Sequence, residues 1–453
     1  MDPHASRSSR SIGSNAGARV AGFIRILGIA GLFSGFGPGA TPRFPHIRTE
    51  INDYRIAYLP SPARAAEYAW TAQHYDRIVL DWGDAVSMPV YRRLSPSAEI
   101  YRYALSWTVI QPASPTAPNI AATYYPDMQA WYAAHRDYDL ERALLHRPGC
   151  GPTPACRVSF KIWKDDRWAI NPGDPGLRAY QRHRLARLAA DADGLFLDEQ
   201  GSGDFEPLFK ARAAEYSDAA SYQRDMISML REIRSALGTN KGLLINTATY
   251  VTPWDAELAR AAGGAHGEHF NDPVFPEMER RWTFAESVLA SGASMHLTPP
   301  DGPPPREYSN GGYETPLERW QLWELASSYL IAPLRPGLLF FNANGSSGSQ
   351  AFSAAWFKAI ETNVGAPSGA RRVLSQGNDR AGRPYRVWAR DYGNALVLVR
   401  PVISWQSRSY GDDTAADVAL PGSGYHLLHA DGTRGPSVST IALRAGEAAI
   451  LMK

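Results

Sequence analysis

Ala192-Asp193-Gly194-Leu195-Phe196-Leu197-Asp198-Glu199 is the stretch on which the fold turns. Gly194 to Leu197 form a short apolar run, two carboxylates follow at once, and Gly201-Ser202-Gly203 ends any regular element. A continuous apolar run of this length predicts a central parallel strand, covered on both faces. In a (β/α)8 barrel, acids at the C-terminal end of such a strand stand at the rim where chemistry is done. Taken alone, the run serves equally well as a buried strand whose trailing acids cap the next helix. The surrounding rhythm decides between the two.

Working outward, strands and helices alternate. Strands are predicted over residues 55–60, 77–83, 99–107, 242–248, 265–270, 294–298 and 337–342, with residues 192–199 as the fourth of eight. Helical patterns fall between them, over 65–74, 125–135, 177–190, 214–237, 254–262, 276–290 and 316–331. Residues 158–163 read as an accessory strand or hairpin inside a long insertion. Strands alternating with helices argue for parallel βαβ units, and eight of them predict a (β/α)8 TIM barrel over residues 50–365. A doubly wound sheet would carry a Gly-rich nucleotide loop after an early strand. Neither GxGxxG nor GxxxxGK[ST] occurs in the chain.

Past residue 367 the rhythm changes to short strands at 385–390, 395–399, 416–420, 425–428 and 448–451, separated by turns such as Asp391-Tyr392-Gly393-Asn394. That pattern predicts a C-terminal antiparallel β-sandwich over residues 367–453.

Composition bounds the function. The 453 residues are 44% hydrophobic and 20% charged, enough for a sizeable core. A formal charge of +2 gives no electrostatic argument for nucleic acid or an acidic membrane. The 13 Trp and 22 Tyr exceed what a core needs. Most must pack in the interior, and the excess fits a cleft that stacks rings on sugars.

The first 45 residues read as an export signal or a disordered extension. Arg7, Arg10 and Arg19 precede an apolar run from Val20 to Ala40 that Arg25 interrupts. The remaining apolar core, Ile26 to Phe36, falls short of the ~20 residues that span a bilayer. Cys150 and Cys156 are the only cysteines, too few for a zinc site. A small-loop disulfide in an oxidising compartment and a pair of free thiols both remain open.

On a barrel, the ionisable residues of the rim are Asp81, Asp84, Asp198, Glu199, Glu268, Asp272 and His296. Glycoside hydrolysis needs two carboxyl groups flanking one bond, one as nucleophile or base and one as acid. Asp198 and Glu268 come from strands with one strand between them and can face each other. Alternation lets only one of Asp198 and Glu199 point inward. Asp198 shares its side with Phe196 and Gly194 and is preferred, which leaves Glu199 to bind substrate hydroxyls. Tyr58, Asp81, Trp82, Trp107, Asn246, His296 and Asn342 complete the expected substrate-binding wall. Metal-assisted hydrolysis would want His-x-His, which is absent, so neither a metal nor another cofactor is expected. Serine chemistry lacks its GxSxG.

Three pieces carry a resemblance: Asn171-Pro-Gly-Asp-Pro-Gly-Leu-Arg-Ala-Tyr before a helix, Ala192-Asp-Gly-Leu-Phe-Leu-Asp, and Gly267-Glu-His-Phe. Over roughly residues 50–345 the chain resembles the α-galactosidase superfamily of barrels. It is most similar there to the glycoside hydrolase-like groups close to the endo-α-1,4-polygalactosaminidases, the hypothetical glycosyl hydrolase family fifteen among them. The resemblance implies an O-glycosyl hydrolase with retention of configuration, acting on a poly- or oligosaccharide. It implies Asp198 as nucleophile and Glu268 as general acid/base; many members carry Asp where this chain has Glu268. The rival expectation is a carbohydrate-binding barrel without catalysis, and a polysaccharide lyase stays open beside it.

Overall fold

The computed structural model describes residues 47–53, 61–80, 87–114, 121–162, 164–202, 213–247, 250–271, 277–298, 317–343, 356–403 and 415–453. In chain order its first eleven strands are β1 (Ile47–Asp53), β2 (Arg77–Leu80), β3 (Glu99–Leu105), β4 (Thr108–Ile110), β5 (Ser159–Ile162), β6 (Asp165–Ala169), β7 (Gly194–Asp198), β8 (Gly242–Asn246), β9 (Gly264–Gly267), β10 (Ser294–Leu297) and β11 (Leu339–Phe341). Eight of them close into a parallel barrel in the order β1-β11-β10-β9-β8-β7-β3-β2. The expected (β/α)8 fold is therefore the observed one.

The first barrel strand differs from expectation. It is β1, upstream of residues 55–60, and those residues lie outside the described ones together with the N-terminal segment and most of the β2–α loop. Its sequence, IRTEIND, interleaves charge with apolar residues. A search for apolar runs passes over it because its charged residues are paired inside the barrel. The buried Glu50 lies 3.7 Å from Arg77, and Arg48 is bonded to Glu99 at 2.6 Å.

The fourth strand behaves as its sequence requires. Leu195 and Leu197 face outward and pack with Leu230, Ile233 and Leu258 of the surrounding helices. Phe196 faces inward with Val79, Tyr101 and Leu244. Burying each such side chain stabilises the fold by roughly 1.5–3 kcal/mol. Below Phe196 the barrel floor is filled by Tyr101, which two glycines admit. A Cβ on Gly242 would lie 1.6 Å from the Tyr101 hydroxyl, and one on Gly194 would lie 2.6 Å from its ring.

Between β3 and β7 an insertion folds into a three-stranded antiparallel sheet, β4-β6-β5. Cys150 and Cys156 form a disulfide there, with Cα atoms 5.6 Å apart. The helix Pro175–Leu188 then leads into β7. Asp174 caps it by accepting a hydrogen bond from the Leu177 amide at 2.8 Å, with Pro175 in the first turn.

After the barrel come β12 (Arg372–Asn378), β13 (Pro384–Asp391), β14 (Ala395–Arg400), β15 (Ala416–Ala419), β16 (Tyr425–Leu428), β17 (Arg434–Val438), β18 (Thr440–Leu443) and β19 (Glu447–Met452). Six form the sheet β12-β13-β14-β19-β16-β17, and β15 pairs with β18. Val387, Leu396, Val418, Leu443 and Leu451 form the core shared by the two sheets. β12, β17 and β18 went unforeseen because they are largely exposed and lack an apolar alternation. The larger sheet rests on the helix Leu317–Ile331, where the Arg390 guanidinium donates to the Leu330 carbonyl at 2.9 Å. Among the described residues, no helix is long and apolar enough to cross a membrane.

Candidate active site

Three strand ends converge on one patch of the barrel rim. Asp198 closes β7 on the inward side, above Phe196, and is half-buried. Asn246 closes the neighbouring β8, and Glu268 follows β9 directly. A single nitrogen, Asn246 Nδ2, donates to Asp198 Oδ1 at 2.7 Å and to Glu268 Oε2 at 2.9 Å. The two hydrogens of a planar amide diverge by about 120°, so these oxygens lie roughly 5 Å apart. Two acceptors on one side also dictate the amide's orientation, since its oxygen would be repelled there.

Asp198 accepts two further hydrogen bonds, from the Tyr103 hydroxyl to Oδ2 and from the Glu199 amide to Oδ1 at 2.8 Å. Burial and then the charge of Glu268 push its carboxyl above the usual range, while these donors pull it back. Glu268 keeps a side chain 30% exposed, so solvent reaches it.

The backbone is strained at both carboxylates. Among the described residues, two non-glycine residues have positive φ: Glu199 at 58° and His269 at 51°. Each follows one of the two acids immediately. Left-handed conformations cost about 1–3 kcal/mol at such residues and cluster where a site demands them. At Glu199 this turn ends the strand's alternation and sends the side chain sideways, onto Arg167 of β6. Burial and Asp198 push the Glu199 carboxyl up to about 7, against the pull of Arg167.

Other expected wall residues stand elsewhere. Trp107 is fully buried beneath the insertion sheet, its ring stacked on Phe160 at 5.5 Å, so it presents no face to a ligand. Asn342 is 2% exposed just past β11 and likewise offers no surface. His296 is 1% exposed and lies a layer below the rim. The Arg77 guanidinium, which can only donate, bonds His296 Nε2 at 2.5 Å. The ring is therefore neutral, with its proton on Nδ1 toward Glu50. Burial and Arg77 push it down to about 3, against the pull of Glu50. An alternating strand hides this, because His296 has the right side and the wrong height. Tyr58, Asp81, Trp82, Asp84 and Asp272 lie outside the described residues.

Two members of the site were not anticipated. Tyr103 shares the inward face of β3 with Tyr101, and alternation from Phe196 across the β3–β7 pairing would have found it. Arg167 arrives from the insertion and leaves no mark in the barrel's periodicity. Among the described residues, no group of three or more His, Cys, Asp or Glu is placed to hold a metal ion.

No protein-family model matches the chain, and no curated protein sequence does. Several solved structures align with the chain at low similarity. A noncanonic maltogenic α-amylase, AmyB, from Thermotoga neapolitana is 11% identical with a TM-score of 0.49, over 90% of this chain and 98% of its own. Trehalose-6-phosphate hydrolase from Bacillus licheniformis is 10% identical with a TM-score of 0.48, over 90% and 99%. The glycoside hydrolase domain of PelA from Pseudomonas aeruginosa is 16% identical with a TM-score of 0.35, over 58% and 88%. At such values the likeness carries no argument, and the roles of residues rest on the geometry described above.

Proposed function

We propose that this protein is an O-glycosyl hydrolase acting on a poly- or oligosaccharide with retention of configuration. The observation that carries the reading is the pair of carboxylates bridged by Asn246. A separation of about 5–5.5 Å suits a nucleophile and an acid/base on one glycosidic bond, whereas inverting enzymes leave roughly 6.5–9.5 Å for a water. Asp198, fixed by three donors, attacks the anomeric carbon. Glu268, whose side chain is 30% exposed, protonates the departing glycosidic oxygen. It then takes a proton from the water that hydrolyses the glycosyl-enzyme. The left-handed turns after both acids support a functional demand at this rim.

The resemblance to the α-galactosidase superfamily and the polygalactosaminidase-like groups supports the same assignment of Asp198 and Glu268. The disulfide supports an exported protein, since such bonds persist in oxidising compartments. The test is incubation of the purified protein with a panel of bacterial and plant polysaccharides, read by reducing ends. Release from at least one of them, lost in Asp198→Asn, supports the reading. Release that persists unchanged in Asp198→Asn refutes it.

A further inference from the structure

The insertion between β3 and β7 reaches the rim beside Asp198 through Arg167, which bonds Glu199. Arg167 stands in the middle of β6, opposite Ile110 of β4 and Phe160 of β5. Its side chain is 5% exposed. Nη1 donates to Glu199 Oε2 and to Thr108 Oγ1, the latter at 3.4 Å, and Nη2 lies 4.0 Å from Asp165. Glu199 meets it because the left-handed turn at φ 58° aims the side chain at the insertion rather than into the cleft. Only 14% of the Glu199 side chain is exposed, so it has little surface left for a sugar hydroxyl.

This pair sits beside Asp198, whose own surroundings are crowded with negative charge. Glu199 follows it in sequence, Glu268 faces it through Asn246, and Asp165 stands behind Arg167. Besides Asn246, the Tyr103 hydroxyl and the Glu199 amide donate to Asp198. Without Arg167, these four carboxyl groups would each make the others harder to ionise, and the imidazole at the patch, His269, lies 3.9 Å from Glu268. Burial and Glu268 push the Asp198 carboxyl up, and burial and Asp198 push the Glu199 carboxyl up.

We infer that Arg167 is a positioning residue of the active site: it holds the Glu199 carboxylate aside and cancels its charge, so that Asp198 ionises in the range where a nucleophile works. The insertion sheet is then part of the catalytic apparatus and not merely a decoration of the barrel. This inference rests on the reading of Asp198 as nucleophile, yet it makes a claim about charge that can be measured without turnover.

The experiment labels the protein with [γ-13C]aspartate and follows the Asp198 carboxyl resonance, identified by its absence in Asp198→Asn, against pH. Arg167→Met is expected to raise its midpoint, because the Glu199 charge next to it is then left uncancelled. The double variant Arg167→Met/Glu199→Gln is expected to bring it back, because the charge that needed cancelling is gone. A merely structural role for Arg167 predicts no such restoration. Should Arg167→Met fail to fold, Glu199→Gln alone is expected to lower the midpoint, since Arg167 then acts on Asp198 unopposed. A midpoint unmoved in Arg167→Met, a double variant that stays displaced, or one unmoved in Glu199→Gln overturns the inference. Activity retained by Asp198→Asn would instead remove the hydrolase reading and leave the resonance data intact.

Discussion

Asp198 and Glu268 are held together by one atom, Asn246 Nδ2, which donates to both carboxylates at 2.7 and 2.9 Å. The bridge spans three adjacent strand ends, β7, β8 and β9, and so converts the barrel's fixed strand spacing into a fixed spacing of acids. Replacing it tests whether that spacing matters. Asn246→Ala is expected to lower kcat roughly 10²-fold, the scale of a misplacement near 1 Å, with KM little changed. A variant whose kcat equals the wild type's would show that the two acids hold their places without the bridge.

The Tyr103 hydroxyl donates to Asp198 and pulls its carboxyl down against burial and Glu268. Tyr103→Phe removes the donor, so the carboxyl must rise. The ionised nucleophile then appears at higher pH, and the acid limb of kcat/KM is expected to move upward in Tyr103→Phe. A limb that stays in place would mean that another group governs it.

The raised carboxyl of Asp198 has a signed effect on stability. A folded state that binds this proton more tightly than the unfolded chain loses stability as pH rises from the unfolded value near 4 through the folded one. Asp198→Asn removes the cost. Its Tm is expected to exceed the wild type's by roughly 2 °C at pH 8 and to match it at pH 3. Equal Tm values at both pH values would contradict the raised carboxyl.

Beneath the rim, Glu50 lies between Arg77, His266 and His296. Burial raises its carboxyl, but His296 and His266 overcome this and hold it well below the usual range. Glu50→Ala leaves the Arg77 charge without one of its buried partners. Urea denaturation is expected to show a loss of about 3–5 kcal/mol. A loss below about 1 kcal/mol would mean that Glu99, bonded to the same guanidinium, suffices to hold Arg77 in place.

Hydrophobic periodicity makes most barrel strands legible in the sequence, and buried charge hides the rest. β7 announces itself because Leu195 and Leu197 must meet helices while Phe196 fills the barrel, and Asp198 inherits the inward direction from Phe196. β1 was missed because its inward residues are charged and paired within the barrel. His296 was expected at the rim because alternation gives a side chain's face and says nothing of its depth. Arg167 could not be anticipated: it lies 31 residues before Asp198 in the chain, and only the folding of the insertion brings it there. Alternation from Phe196 gives the inward side to Asp198 and says nothing of where Glu199 goes; the left-handed turn at that residue turns its side chain onto Arg167 instead of a sugar hydroxyl.

The central claim is that Asp198 and Glu268 act together on one glycosidic bond. Its most direct test is the rate of hydrolysis, on a polysaccharide the wild type cleaves, by Asp198→Asn and Glu268→Gln with their folding verified by circular dichroism. The account predicts that each variant loses roughly 10²–10⁴-fold in kcat. Wild-type rates in both would contradict it.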